Sequence, residues 1–482
     1  MGDNKKKKGD THLLEIVKKY NELRVPARAS LWYIGSGGFA RAIGALSTPI
    51  FTRLLSPAEY GLFPLYNSWM SVISVLITLE LGGSVLYRAY QKYADKKDEL
   101  TSSALGLIGA IFISFSTLYF AFYGLIGKYT GLSVRVSIFM LAEIFASAVL
   151  SVYIAKARFE YKYRAVALLN TLSAILAPFT ALSLIFLTGV RAEARIYSSS
   201  IVAVLIALPI ACIVINRSER LFVGEMWRYL LARSLPLLPH YFASALILKS
   251  IEIGIGRSHG SDALARYSIA MSVGMILTIV TGGLLSALSP WIIRKIKEGD
   301  TGRVRDFLLL VTKALSLVAL LILAGAPEVT TFLAAEDFRQ ALPSVYPLEI
   351  GVILSFLAGA LMSGCAYYER SFISSIPALV SGLVSLTLSL FLLPRMDYRF
   401  AGILPLCSYI ILAVLTALLF KRMSGEYPIS LGRCLGVIAL TLGYATLLYL
   451  FKDVLISRIF LALPLLPLLF IEAKGIYARV RE

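Results

Sequence analysis

The chain has 482 residues, 58% of them hydrophobic and only 16% charged, with a mean hydropathy of +0.76. A soluble chain of this length needs far more polar surface, so the composition points to an integral membrane protein. The net charge of +18, from 47 Lys and Arg against 29 Asp and Glu, would suggest a nucleic-acid partner in a soluble chain; here its distribution along the chain decides, and no nucleic acid is expected.

Residues 1–29 read as a cytoplasmic basic tail. Lys5 to Lys8 precede Leu13, Ile16, Val17, Tyr20 and Leu23 at helical spacing, which suits either a helix lying on an anionic inner leaflet or a solvated tail. No cleaved signal peptide is expected, because the first apolar run is long enough to span a bilayer.

Runs of about 20 apolar residues predict an all-α polytopic protein with fourteen transmembrane helices. Their limits are near 31–51, 64–86, 104–126, 134–155, 167–189, 196–215, 235–256, 267–290, 307–326, 345–366, 372–393, 402–420, 431–450 and 454–472. Sorted by connection, 32 basic residues fall on the side of the termini and the even-numbered connections, and 12 on the side of the odd-numbered ones, Lys452 and Arg458 among them. This bias alternates from one connection to the next, so the positive-inside rule places both termini in the cytoplasm of a multi-pass cell-membrane protein. Most of the +18 is therefore topology. Three cations remain inside spans: Arg41, Lys249 and Lys313. The longest connection, roughly 327–344, is too short for a soluble domain, so function must reside in the helices.

The first span contains Gly35-Ser36-Gly37-Gly38-Phe39-Ala40, the spelling of a dinucleotide-binding turn. Such a turn follows a strand in a βαβ unit, whereas this one follows a basic tail and continues apolar to Phe51, so it reads as membrane helix. Phe39, Ile43, Leu46 and Ile50 form one stripe; Gly37, Arg41, Gly44, Ala45 and Thr48 form the opposite one. A charge inside a span costs about 2.5–3.5 kcal/mol unless it faces a cavity or a partner. Arg41 is therefore expected either to look into a polar interior or to form an ion pair with Glu80 or Glu143. In the seventh span, Lys249 and Glu252 share a face and are spaced to pair at i, i+3.

The segment after the first span, Thr52 to Phe63, and the segment after the seventh, Gly256 to Ala270, both run helix, basic residue, short turn, Tyr plus a small residue, helix. Arg41 precedes Tyr60 by 19 residues and Lys249 precedes Tyr267 by 18. The halves read as repeats of a six-helix unit with a cation in each first helix, an arrangement that marks substrate sites in transporters. Domain limits follow as 30–216 for the first six spans, 217–422 for the next six, and 423–482 for spans 13 and 14 with the C-terminus.

The residues Arg53-Leu54-Leu55-Ser56-Pro57-Ala58-Glu59-Tyr60-Gly61-Leu62-Phe63, followed by Leu79-Glu80-Leu81-Gly82-Gly83-Ser84-Val85-Leu86-Tyr87-Arg88-Ala89-Tyr90, resemble the start of polysaccharide-export flippases of the multidrug/oligosaccharidyl-lipid/polysaccharide superfamily. The resemblance is sharpest over about residues 31–90. It implies two six-helix lobes in pseudo-twofold repeat around a central cavity, with two peripheral C-terminal helices. It also implies translocation of a polyisoprenyl-(di)phosphate-linked oligosaccharide from the inner to the outer leaflet by alternating access, without enzymatic chemistry. Matching the cavity cations of similar proteins gives Arg41, Arg53, Lys249 and Arg257, to which Lys313 is added. Glu80, Glu143 and Glu252 would pair with those charges or couple transport to Na⁺ or H⁺, while membrane potential would itself favour outward movement of negative charge. The expected partners are the lipid-linked glycan, membrane lipid and the enzymes of glycan assembly. Cys212, Cys365, Cys407 and Cys434, with His12, His240 and His259, are too scattered for a metal centre, so neither metal nor cofactor is expected. The rival readings are a cation or drug extruder of the same fold and a membrane glycan polymerase or ligase.

Overall fold

A backbone in hydrocarbon must satisfy its own N–H and C=O groups, and every regular element among the described residues is a helix. The computed structural model describes residues 25–218, 220–365, 371–426 and 429–481; the amphipathic pattern at residues 13–23 lies outside them. Thirteen segments of the described chain are long and apolar enough to cross a membrane, and no strand occurs among the described residues. The opening helix α1 (Val25–Leu54) is 30 residues long, but its arginines and glycines leave it too polar to be counted with the thirteen. It runs unbroken through the Gly-Ser-Gly-Gly segment, so no phosphate-binding turn exists there.

Helix α2 (Pro57–Thr78) starts on a capping box. Ser56 Oγ accepts the Glu59 amide at 3.3 Å and the Glu59 carboxylate accepts the Ser56 amide at 2.8 Å, with Pro57 at the first helical position. The Leu-Ser-Pro-Ala-Glu-Tyr-Gly turn is thus a helix start, and Arg191 clamps it by an ion pair to Glu59 at 3.0 Å. The sequence reads 64–86 as one span, yet the helix unwinds after Thr78. Leu79 and Glu80 both have φ of 50°, and α3 (Ser84–Lys92) resumes beyond Gly83.

The chain continues through α4 (Lys97–Ala121), α5 (Tyr123–Thr130), α6 (Val134–Phe159), α7 (Tyr163–Thr188) and α8 (Ala194–Arg217). A short α9 (Gly224–Ser234) leads to α10 (Leu238–Ser258), α11 (Gly260–Lys297), α12 (Thr301–Leu333), α13 (Val345–Cys365), α14 (Ser371–Phe391) and α15 (Ile403–Ser424). Last come α16 (Leu431–Leu450), α17 (Leu455–Ala462) and α18 (Leu465–Arg481). Part of the connection expected at 327–344 is helical: α12 continues through Pro327 to Leu333, and a 3₁₀ segment covers Glu336–Ser344.

Packing partners recur six spans later. Helix α1 lies on α7 as α10 lies on α14; α6 lies on α8 as α13 lies on α15; α2 meets α6 as α11 meets α13. Across the two sets, α2 packs on α10 and α11, and α12 carries α16 and α18 on its outer side. The largest core cluster runs through this crossing, with Tyr66, Ile73 and Ile77 of α2 beside Ile251, Ile255, Tyr267 and Val273. The backbones come very close there: a Cβ on Gly61 would lie 1.8 Å from the Ser261 carbonyl oxygen, so only glycine fits. Hydrogen bonds join the two sets at both ends: at the even-connection end Tyr93 donates to Glu225 at 2.8 Å and Trp227 Nε1 to Ser103 O at 2.9 Å, and three more lie between the spans and the odd-numbered connections. Thr52 Oγ1 donates to Leu333 O at 2.8 Å, Arg53 to Phe332 O at 3.5 Å, and Ser68 Oγ to Glu252 at 2.5 Å.

Candidate functional site

Within α1, Ser47 and Thr48 return their hydroxyls to the Gly44 carbonyl, both at 2.9 Å, which satisfies polar groups that lipid cannot. No atom of the described residues comes within 4 Å of where a Cβ would stand on Gly37, Gly38 or Gly44. Arg41 lies on this bare face. It is exposed and makes no hydrogen bond or ion pair with the described residues. It stands thirteen residues before Leu54, about 20 Å along the axis at about 1.5 Å per residue, so it belongs to the middle of the helix.

The ion pairs considered for Arg41 do not form. Glu143, buried on α6, is engaged by the hydroxyls of Tyr66 at 2.6 Å, Ser199 at 2.8 Å and Ser200 at 2.9 Å. Glu80 sits half-buried in the break between α2 and α3, with no hydrogen bond or ion pair to its carboxylate among the described residues. Lys249 does form its i, i+3 pair: Nζ lies 2.9 and 2.8 Å from the two Glu252 oxygens, and Ser68 Oγ donates to the same carboxylate. This lysine is therefore charge-compensated where α2 meets α10. Each of the remaining cations has a partner of its own. Arg53 bonds the Pro49 carbonyl at 3.0 Å at the end of its own helix. Arg257 stacks 3.8 Å from the centre of the Tyr129 ring. Lys313 reaches Glu472 of α18 at 3.8 Å, which turns it to the outer pair of helices.

Two charged groups escaped the sequence reading. Glu349 on α13 is fully buried, and neither of its oxygens has a hydrogen-bond partner among the described residues. It follows Glu143 by 206 residues, close to the offsets that relate Arg41 to Lys249 and Tyr60 to Tyr267; applying the repeat offset to Glu143 would have found it. Arg458, read from the sequence as part of a connection, is instead a buried residue of α17. It holds Glu328 of α12 through two contacts of 2.6 and 2.5 Å, a bidentate pair that Arg geometry favours. Among the described residues no group of three or more His, Cys, Asp or Glu could hold a metal ion.

The family model for polysaccharide biosynthesis proteins matches residues 27–295, more than half of the chain. The chain belongs to this family. The resemblance read from residues 31–90 is thereby borne out. The fold of this family member is also that of known flippases and transporters. It matches "Lipid II flippase MurJ, inward closed conformation" with a TM-score of 0.68 at 14% identity over 94% of this chain and 100% of that one. It matches an inward-facing multidrug resistance MATE family transporter of the MOP superfamily with a TM-score of 0.64, at 14% identity over 80% and 94% of the two chains. A MOP superfamily transporter from Pyrococcus furiosus, whose binding pocket is described as reversed in polarity, matches with a TM-score of 0.57 at 15% identity over 83% and 96%. No curated protein sequence matches the chain.

Proposed function

We propose that this family member is a flippase that carries an isoprenyl-(di)phosphate-linked oligosaccharide from the inner to the outer leaflet by alternating access. The observation that carries the reading is Arg41: an exposed guanidinium in the middle of the first long helix, on a glycine-rich face, with no carboxylate among the described residues to neutralise it. A sugar and a (di)phosphate cannot cross hydrocarbon unaided, because desolvating an isolated charge costs tens of kcal/mol in the Born limit. In this reading the Arg41 face turns to a wet passage between the halves, where the guanidinium replaces part of the lost hydration with charge-assisted, bidentate contacts to phosphate oxygens. The isoprenyl tail stays in lipid while the headgroup passes.

Alternating access follows from rocking the two six-helix halves about the α2, α10 and α11 contact. The bonds of Thr52 and Arg53 from α1 to the end of α12, and of Ser68 from α2 to α10, break when the odd-connection end opens. With those connections outside, the movement delivers phosphate with the membrane potential, which contributes about 2.3 kcal/mol per charge per 100 mV. Coupling to Na⁺ or H⁺ runs through the buried carboxylates. Glu349 is the strongest candidate, because an uncompensated buried carboxylate is costly and an arriving cation or proton removes that cost. A cation extruder would need several carboxylates open to its cargo, whereas Glu143 and Glu252 are buried and already engaged, Glu349 is fully buried, and of these four acids Glu80 alone is partly exposed.

The reading is tested with purified protein in liposomes carrying a fluorescent isoprenyl-diphosphate oligosaccharide, whose leaflet is read by a membrane-impermeant quencher. Protein-dependent redistribution of unmodified lipid is expected. Movement of an organic cation without movement of the glycan lipid contradicts it, as does extension of the glycan by the protein.

A further inference from the structure

A groove of about 830 Å³ lies between α1 and α7, lined by Leu31, Trp32, Gly35 and Phe39 on one side and by Ala167 and Leu168 on the other, with Arg164 at its rim. The two helices run in the same direction and start together at the even-connection end, where the Trp32 and Tyr163 rings approach to 6.3 Å. Arg164 of the lining stands one turn before Ala167 and Leu168, and Arg28, just beyond the lining, stands one turn before Leu31 and Trp32, so the two cations share one end of the groove. Among the described residues Arg164 makes no hydrogen bond or ion pair, and the buried Nε of Arg28 has no partner. A third cation, Arg158, stacks 5.4 Å from the centre of the Tyr33 ring one residue along α1. The nearby Lys162, by contrast, is already engaged by Glu160 at 2.6 Å.

The slot is therefore amphipathic in the same sense as a lipid. Cations with unused donors stand at one end, and an apolar channel runs about 10 Å inward from Trp32 to Phe39 at about 1.5 Å per residue. Its floor at Gly35 is open, with no atom of the described residues within 4 Å of where a Cβ would be. The groove is on the other side of α1 from Arg41, since Phe39 and Arg41 differ by two positions, about 200° around the helix. It is thus separate from the face assigned to the transported headgroup.

We infer that this groove is a binding site for an anionic phospholipid of the bilayer. The phosphate-bearing headgroup is held by Arg28 and Arg164, with Arg158 adding charge beside them, and one acyl chain lies between α1 and α7. Charge complementarity selects an anionic headgroup over a zwitterionic one, and Trp32 sits where aromatic side chains anchor at the interface. A lipid there fills the gap beside α1 and holds the helix that carries Arg41 against α7.

The test uses the full chain in liposomes with photoreactive phosphatidylglycerol or photoreactive phosphatidylcholine of the same acyl chains, and peptide mapping of the crosslinks. Labelling within residues 31–39 and 167–171 is expected, favouring phosphatidylglycerol by about fivefold or more. The double substitution Arg28→Gln, Arg164→Gln is expected to bring the two lipids to equal labelling while phosphatidylcholine labelling persists, which also shows that the groove is intact. Substituting Arg294→Gln and Arg422→Gln on the other half should leave the preference unchanged. The inference is overturned by equal labelling in the unsubstituted protein, by a preference that survives Arg28→Gln, Arg164→Gln, or by a groove that neither lipid labels. Displacement of phosphatidylglycerol by an equimolar isoprenyl phosphate would likewise overturn it, in favour of the transported lipid.

Discussion

Arg41 and Lys249 occupy corresponding places in the repeat, yet their surroundings differ. Lys249 is held by Glu252, which also accepts from Ser68, whereas Arg41 is bare. The substitution Lys249→Met therefore leaves Glu252 uncompensated, and removing one partner of a buried pair costs about 3–5 kcal/mol, less here because Lys249 remains partly exposed. The double substitution Lys249→Met, Glu252→Gln should recover most of that loss, as read by thermal unfolding in detergent; equal loss in single and double variants would argue against the pair. Glu349→Gln should keep the fold and abolish any dependence of transport on a Na⁺ or H⁺ gradient, checked by imposing each gradient across proteoliposomes. Of these residues, Arg41, Lys249 and Glu252 were legible in the sequence because charge stands out against an apolar run. Whether each would be paired was only partly legible, because partners come from other helices: the i, i+3 pair could be read from spacing, but the Tyr66, Ser199 and Ser200 hydroxyls around Glu143 could not. Lys313 shows the same limit, since its partner Glu472 lies 159 residues away on a helix whose position the sequence does not reveal.

At the level of single helices, hydropathy located the spans because bilayer thickness fixes their length, but it did not see where they end or break. Helix α11 covers 38 residues against the 24 read as apolar, since its polar ends remain helical beyond the hydrocarbon. The break at Leu79 to Gly83 was invisible to a window that averages composition. Two consecutive left-handed residues other than glycine cost roughly 1–2 kcal/mol each, a strain held by packing such as that of Gly82, where a Cβ would fall 2.9 Å from Ser151 Cβ. The approach of α2 to α11 leads to a sharper expectation. Gly61→Ala forces the helix starts apart and should destabilise by about 1–3 kcal/mol or more, lowering the thermal midpoint; an unchanged midpoint would mean that the contact is looser than the geometry shows. The alanine variant should also weaken closure at the odd-connection end, read as increased labelling of a cysteine placed at Thr52.

For the molecule as a whole, the all-helical architecture and the family were legible, because long apolar runs and the Arg53 to Phe63 segment can be read without any knowledge of contacts, although fourteen spans were expected and thirteen are long and apolar enough among the described residues. The arrangement of helices around one another was legible only as a repeat, and the structure expresses it in the matching partnerships of α1 with α7 and α10 with α14. Orientation in the membrane is open to a direct test. Cysteines placed at Lys96 and Lys297, on even-numbered connections, should react with an impermeant thiol reagent only after cells are opened, whereas cysteines at Lys128 and Arg395 should react in intact cells; the reverse pattern would invert the direction of transport. The account rests most heavily on one guanidinium. Leaflet accessibility of a fluorescent isoprenyl-diphosphate oligosaccharide should therefore be followed in liposomes containing the unsubstituted protein, Arg41→Lys or Arg41→Ala. A charge that contacts phosphate is worth about 1.5–3 kcal/mol, so Arg41→Ala should slow translocation by about tenfold to a hundredfold, with Arg41→Lys between the two and insertion unchanged. Translocation at the unsubstituted rate in Arg41→Ala would contradict the account.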